Sequence, residues 1–256
     1  MKRRIMFCVL LLLGFIVVGG SVLAENELEA DLNKVDNLFN NMNQAGEEKA
    51  LKLIKKAVKL ADNLVEKYPD NPRVYWMAAS SYSNLSYFNV ESPVAELRKG
   101  KMYAEKSIEI APDRGRGYFW LGTIIGQIGQ EEGIMKSLSS VEPMRDNLEK
   151  ALKLDPDFAP AYDVMGRLYT QAPGWPLSIG DDEKAVEYRK KAVELKPDNL
   201  SYQWALYNNY LELDREKEAI HILKRIIIKT KSSKYSEKES KAYRKEAEKA
   251  LKDLEG

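Results

Sequence analysis

Two residue types that carry much of thiol, metal and proton-transfer chemistry are almost missing from this 256-residue chain, which has one cysteine, Cys8, and one histidine, His221. A single cysteine excludes an internal disulfide and a multi-thiolate metal site. A single histidine offers no ligand cluster. Placed between Ile220 and Ile222, it reads as a structural residue of a helix. A Gly-rich phosphate loop, a Gly-x-Ser-x-Gly elbow and a His-Glu-x-x-His pair are also lacking. The acidic pairs Glu131-Glu132 and Asp181-Asp182 fall in turn regions, where carboxylates cap helices and complement their dipoles. No catalytic set, metal site or cofactor site is expected, and the chain reads as a non-enzyme. Excess charge of one sign is lacking too: the net charge of +1 leaves no electrostatic footprint for nucleic acid or for an anionic membrane surface.

Apolar residues make up 44% of the chain and charged residues 31%, a globular composition. The first 24 residues stand apart. Lys2, Arg3 and Arg4 form a basic head, Ile5 to Val18 is apolar or small throughout, and Val22-Leu23-Ala24 supplies small residues before Glu25. This is the pattern of a signal peptide cleaved after Ala24. An exported, periplasmic or extracellular location is therefore expected. Attachment to a membrane is expected only if the segment stays uncleaved as an anchor. Cleavage would remove Cys8 and three positive charges, leaving 37 basic against 39 acidic residues.

The remainder is periodic. Pro69, Pro112, Pro156 and Pro197 each precede an Asp, with separations of 43, 44 and 41 residues. Proline ends a helix because it has no N–H and disfavours helix at the residue before it. A neighbouring Asp or Asn can cap the next helix. Six residues beyond each proline begin four matching stripes: Tyr75, Ala78, Ala79, Tyr82; Tyr118, Leu121, Gly122, Ile125; Tyr162, Met165, Gly166, Tyr169; and Gln203, Leu206, Tyr207, Tyr210. That spacing places each stripe on one helix face. The helix before each proline carries its own stripe: Ala57, Ala61, Leu64; Gly100, Ala104, Ser107; Met144, Leu148, Ala151; and Ala185, Arg189, Ala192. Ala219, Leu223, Ile226 repeats it once more.

This resembles the tetratricopeptide repeat, a helix–turn–helix unit of about 34 residues. The resemblance covers residues 26 to 229. It implies an all-α, right-handed superhelical solenoid of about five helical hairpins. From the end of one stripe to the start of the next, the last hairpin takes nine residues and the earlier three take 18, 19 and 16. The excess is expected as extended turns inside those hairpins, all on one edge of the stack. The expected organisation is a signal peptide at 1–24, the solenoid at 25–230 and a polar capping helix within 231–256. The segments Gly133-Ile134-Met135-Lys136-Ser137 and Pro176-Leu177-Ser178-Ile179-Gly180-Asp181, the latter ahead of Glu183-Lys184-Ala185, extend the resemblance to two groups. One is the regulator-of-microtubule-dynamics proteins. The other is the periplasmic T component of TRAP-type transporters, which implies a role beside a solute-binding protein in uptake of a hydrophobic or organic-acid ligand. The chain lacks the lipid-anchor cysteine of the lipoprotein form of that group.

A binding role follows. In such superhelices the first helix of each hairpin lines the concave face. Helical spacing sends Trp76, Ser80, Phe119, Thr123, Asp163, Arg167, Trp204 and Asn208 toward it. Such a groove suits a protein or peptide partner, or a small organic ligand with apolar area and a few polar handles. The alternative is that the aromatics only fill gaps between hairpins. The chaperone-type carboxylate clamp is not expected, since only Asn208 fits it. A second candidate surface is the inserted turns, with Tyr87, Phe88 and Val90 in the first, Met135 in the second, and Trp175, Pro176 and Leu177 in the third. An exposed Trp175 would be a recognition element, a buried one an anchor for the turn. The expected partner is a protein or peptide, with a periplasmic solute-binding protein as one candidate and homo-oligomerisation open.

Overall fold

The computed structural model describes residues 25–42, 45–88, 90–231 and 237–255; the signal-peptide reading of 1–24 lies outside them. The described residues are all-α, with one isolated bridge between Gly174 and Gly180. They form two compact units that divide between Pro69 and Asp70.

The first unit is one hairpin, α1 (residues 25–42) and α2 (Glu47–Lys67). Leu28, Leu32 and Val35 of α1, and Ala50, Ile54, Ala57, Ala61 and Leu64 of α2, are buried. At the open end, Asp31 receives Lys34 and Lys67 at 2.7 Å each and the Tyr68 hydroxyl at 3.1 Å. The two lysine donors, Lys34 first, hold its carboxyl down at about 2.

The second unit holds four hairpins: α3 (Pro72–Leu85) with α4 (Pro93–Ile110), α5 (Gly115–Glu132) with α6 (Ile134–Leu154), α7 (Ala159–Gln171) with α8 (Asp182–Leu195), and α9 (Leu200–Glu212) with α10 (Glu216–Lys231). Each helix packs on the next in sequence, and α3 also packs on α5. A final helix, α11 (Glu237–Glu255), packs on α10. Its Ala247 is buried, and Tyr243, Ala250, Leu251 and Leu254 cover the core formed by α9 and α10. The architecture is the tetratricopeptide type that the repeat implies.

The proline signal acts as expected. Helices α2, α4, α6 and α8 each stop two residues before the repeating proline, at Lys67, Ile110, Leu154 and Leu195. The C-cap residues Tyr68, Ala111, Asp155 and Lys196 share one backbone shape, with φ from −129° to −138° and ψ from 60° to 80°. Each cap N–H donates to the carbonyl four residues back, at 2.8 to 3.0 Å. Asn71 and Asn199 cap the following helices, accepting from the Arg73 and Tyr202 amides. Arg114 and Phe158 occupy the same position without a side-chain cap.

The extra length inside the hairpins takes two forms. The links after α3 and after α7 are turns, as expected. In the second hairpin the extra residues are helix instead: α5 and α6 run to 18 and 21 residues and only Gly133 separates them. Gly133 makes the reversal at φ 100° and ψ 178°, a region essentially restricted to glycine. Helix α6 continues through Pro143.

Candidate functional site

The first helices of the four hairpins lie side by side at their C-terminal ends. Ser83 of α3 donates to Gln127 Oε1 of α5 at 2.7 Å, and Gln127 Nε2 returns a bond to the Ser83 carbonyl at 3.2 Å. Gln130 of α5 donates to Gln171 of α7 at 3.3 Å. Asn209 of α9 donates to Thr170 of α7 at 2.8 Å. These bonds fix α3, α5, α7 and α9 as one face and bring the intra-hairpin turns to one edge.

The eight groove candidates divide by helix. On α3, Trp76 is half-buried and Ser80 is buried. The Arg116 guanidinium sits 5.7 Å from the Trp76 ring and 3.7 Å from that of Phe158. Burial lowers the Arg116 pKa, an effect Asp155 opposes. Trp76 and Arg116 line a cleft of about 790 Å³ with Arg73, Arg114, Asp113 and Asp155. On α5, Phe119 is only 4% exposed and packs edge-on to Phe158 at 4.8 Å, so it belongs to the core. Thr123 is 5% exposed and its hydroxyl oxygen has no protein partner. Both turn inward because α5 is flanked by α3, α4 and α6. On α9, Trp204 is half-buried against Tyr207 at 5.1 Å and Tyr243 of α11 at 6.3 Å, while Asn208 is exposed.

Helix α7 carries the charged part. Asp163 and Arg167 lie one turn apart and both are half-buried. Arg189 crosses from α8 to reach Asp163 at 3.2 Å. It passes over Gly166, where a Cβ would lie 2.6 Å from the Arg189 Cγ, so the missing side chain makes room for the arginine stem. Burial raises the Asp163 pKa, opposed first by Arg189 and then by Arg167. Burial likewise lowers that of Arg189. Tyr202, beside them, is pushed up to about 12, mainly by burial and further by Asp163. Two guanidiniums thus lie beside Asp163, and Glu212 is a further carboxylate that acts on Arg189. Arg167 itself makes no hydrogen bond or ion pair among the described residues. Sequence reasoning missed the Arg189 crossing, although an arginine in the small-residue stripe Ala185, Arg189, Ala192 was the visible signal.

The turn edge is apolar at its tips. Trp175 is 89% exposed, Met135 is 81% exposed, and Ile134, Leu177 and Tyr87 are exposed as well. Phe88 and Val90 are half-buried. The Trp175 turn is held from beneath. Gly180 N–H donates to the Pro173 carbonyl at 2.8 Å, and Asp181 N–H donates to the Tyr169 carbonyl at 3.0 Å. Ile179 packs into the core. A Cβ on Gly180 would fall 2.0 Å from the Ala172 carbonyl oxygen, so only glycine permits the closure. Asp181 then caps α8 through the Lys184 amide at 3.0 Å. The turn is anchored by Ile179, and Trp175 and Leu177 point to solvent. His221, on α10, is exposed. Among the described residues no cluster of His, Cys, Asp or Glu could hold a metal, and no helix is long and apolar enough to cross a membrane.

Stacked two-helix units with a common proline-side stop define a tetratricopeptide-type scaffold. The solved structures agree on fold. The thermophilic tetratricopeptide protein TTC0263 of Thermus thermophilus matches with a TM-score of 0.61 at 18% identity, covering 83% of this chain and 98% of that one. A crystal structure of MamA matches with a TM-score of 0.50 at 18% identity, covering 72% and 93%. The family model for regulator of microtubule dynamics protein 1-3 matches residues 31–172, more than half of the chain, and the chain belongs to that family. Human regulator of microtubule dynamics protein 2 is 24% identical over 235 residues, 84% of this chain and 55% of its own length. The Xenopus laevis protein 3 is 26% identical over 102 residues, 39% of this chain and 22% of that protein. The chain thus spans about half or less of the length of these two relatives.

Proposed function

We propose that this chain is a non-catalytic scaffold that holds a protein or peptide partner on the turn edge of its stacked hairpins and the adjoining face of α3, α5, α7 and α9. The observation that carries this reading is the set of large apolar side chains at the turn tips, Tyr87, Ile134, Met135, Trp175 and Leu177, all solvent-exposed. A folded protein gains nothing from apolar tips in water, and aromatic anchors of this kind are what partners bury. Arg98–Glu132 at 2.7 Å and Arg215–Glu183 at 3.1 Å flank the tips with paired charge, the polar surround of an apolar contact. Half-buried Trp76 and Trp204 and the Asp163–Arg167 turn supply further contacts on the concave face.

The test is capture of partners from the source cell by the wild type, by Trp175→Ala/Leu177→Ala and by Trp204→Ala. Loss of a partner in the double variant supports the edge, and loss in Trp204→Ala supports the concave face. Identical capture by three folded proteins refutes both.

Export is part of the reading, supported by the Lys2-Arg3-Arg4 head and the apolar run ending at Ala24. Mass spectrometry of the cell-derived protein tests it: a mature chain starting at Glu25 supports export, and an intact N-terminus leaves it as an anchor. In that setting the alternative role is an accessory of TRAP-type solute uptake, supported by the turn-segment resemblance. It requires a solute-binding protein among the captured partners. The names of the relatives suggest a microtubule partner instead, which co-sedimentation with polymerised tubulin would detect.

A further inference from the structure

A small cavity of about 60 Å³ opens between α5, α6 and α7, lined among others by Thr123, Gln127, Gln130, Ser137, Arg167 and Gln171. Some of its polar groups are bonded within the protein, as Ser140 is to the Lys136 carbonyl, and others are not. The Gln127 amide is used up in the Ser83 lock. Gln130 and Gln171 spend only one group each on their mutual bond, so the Gln171 amide N–H donors and the Gln130 carbonyl stay free. Thr123 Oγ1 is buried without a protein partner, a state that costs free energy unless something in the cavity satisfies it. The Arg167 guanidinium has no hydrogen-bonded acceptor, and the Asp163 carboxylate that faces it is taken by Arg189.

We propose that this cavity binds a small carboxylate, with Arg167 as the charged anchor and Gln171 and Thr123 as neutral donors. The inference shares Arg167 with the concave-face contacts of the partner-docking reading but does not depend on it. Three features select the ligand class. The group without a hydrogen-bonded partner is one guanidinium, and its planar fork matches a carboxylate with two parallel hydrogen bonds. The other free groups are mainly neutral donors, which suit an acceptor-only anion. The volume admits on the order of four water-sized groups, which is the heavy-atom count of acetate. Leu138, Val141, Met144, Leu168, Ala172 and Pro173 supply an apolar wall suited to the methyl group.

The experiment is calorimetric titration of the full chain with sodium acetate, against sodium chloride at equal ionic strength and against acetamide, the neutral isostere. The wild type binds acetate saturably. Acetamide binds about tenfold or more weakly, and Arg167→Gln loses about tenfold or more in acetate affinity. Gln171→Ala, at an exposed helix end, loses a few-fold and serves as the second variant should Arg167→Gln fail to fold. Absence of saturable acetate binding overturns the proposal. So does equal affinity for acetamide, or unchanged acetate affinity in folded Arg167→Gln or Gln171→Ala.

Discussion

Replacing Gly133 with alanine isolates a backbone cost from a packing cost. The residue is the whole connection between two helices of 18 and 21 residues, and it sits at φ 100° and ψ 178°. An added Cβ would meet nothing within 4 Å, so no neighbour has to move. The penalty is then the dihedral one, about 1–3 kcal/mol for a side-chain-bearing residue in this region. The stiffer unfolded chain offsets about 0.4–1 kcal/mol of it, leaving a net loss of about 1–2 kcal/mol. Gly46→Ala is the matched control, because Gly46 is equally open but has φ −72° and ψ 161°, ordinary extended backbone. Its effect should stay within about 0.5 kcal/mol of zero. Urea unfolding followed by far-UV circular dichroism reads both. The expected result is a lowered midpoint at unchanged slope for Gly133→Ala, with a thermal shift of about 2–4 °C per kcal/mol. Equal midpoints for the two variants would refute the assignment of Gly133 as a conformationally obligate reversal.

Three further outcomes follow from the same structure. Arg189→Ala removes the hydrogen-bonded partner of the half-buried Asp163 and leaves Arg167 to compensate part of its charge, so it should destabilise the second unit by about 1–3 kcal/mol; no measurable loss in urea unfolding would contradict the pair. Asp31 has a folded pKa of about 2 against an ordinary 3.8, so its ion pairs stabilise the first unit fully above pH 3.8 and that stability is lost as pH falls toward 2. With Lys67 partly solvated the effect is discounted to about 1 kcal/mol, and Asp31→Asn should flatten the acid limb of the stability–pH curve. Trp175→Ala should change stability by less than about 0.5 kcal/mol, because the side chain is already in water, whatever it does to partner capture.

The sequence stripes translate directly into burial on the second helix of each hairpin. Ala57, Gly100, Met144, Arg189 and Leu223, with the stripe residues around them, are all buried. Small residues at that spacing have one place to go in a stack. Turn length is less legible. Gly133 and Pro143, both breakers by composition, frame the extra residues of the second hairpin, yet Gly133 alone makes the turn and α6 absorbs Pro143. Tertiary packing outweighs local propensity there. On α9 the residues assigned by spacing, Trp204 and Asn208, are half-buried and exposed, whereas on α5 three neighbouring helices cover Phe119 and Thr123. The Trp175 turn depends on a backbone closure at Gly180 that no periodicity encodes. The free charge of Arg167 depends on which arginine captures Asp163, and only the crossing over Gly166 decides that.

The shared shape of the four proline-side caps has a consequence for how such a chain can diversify. Each of the four hairpins of the second unit starts from the same stop, whereas their internal connections measure 7, 1, 10 and 3 residues. Length change is thereby quarantined on one rim, and a new tip can be spliced in without resetting where the following hairpin begins. Such a tip is an interchangeable fitting, and the stack beneath it stays in register.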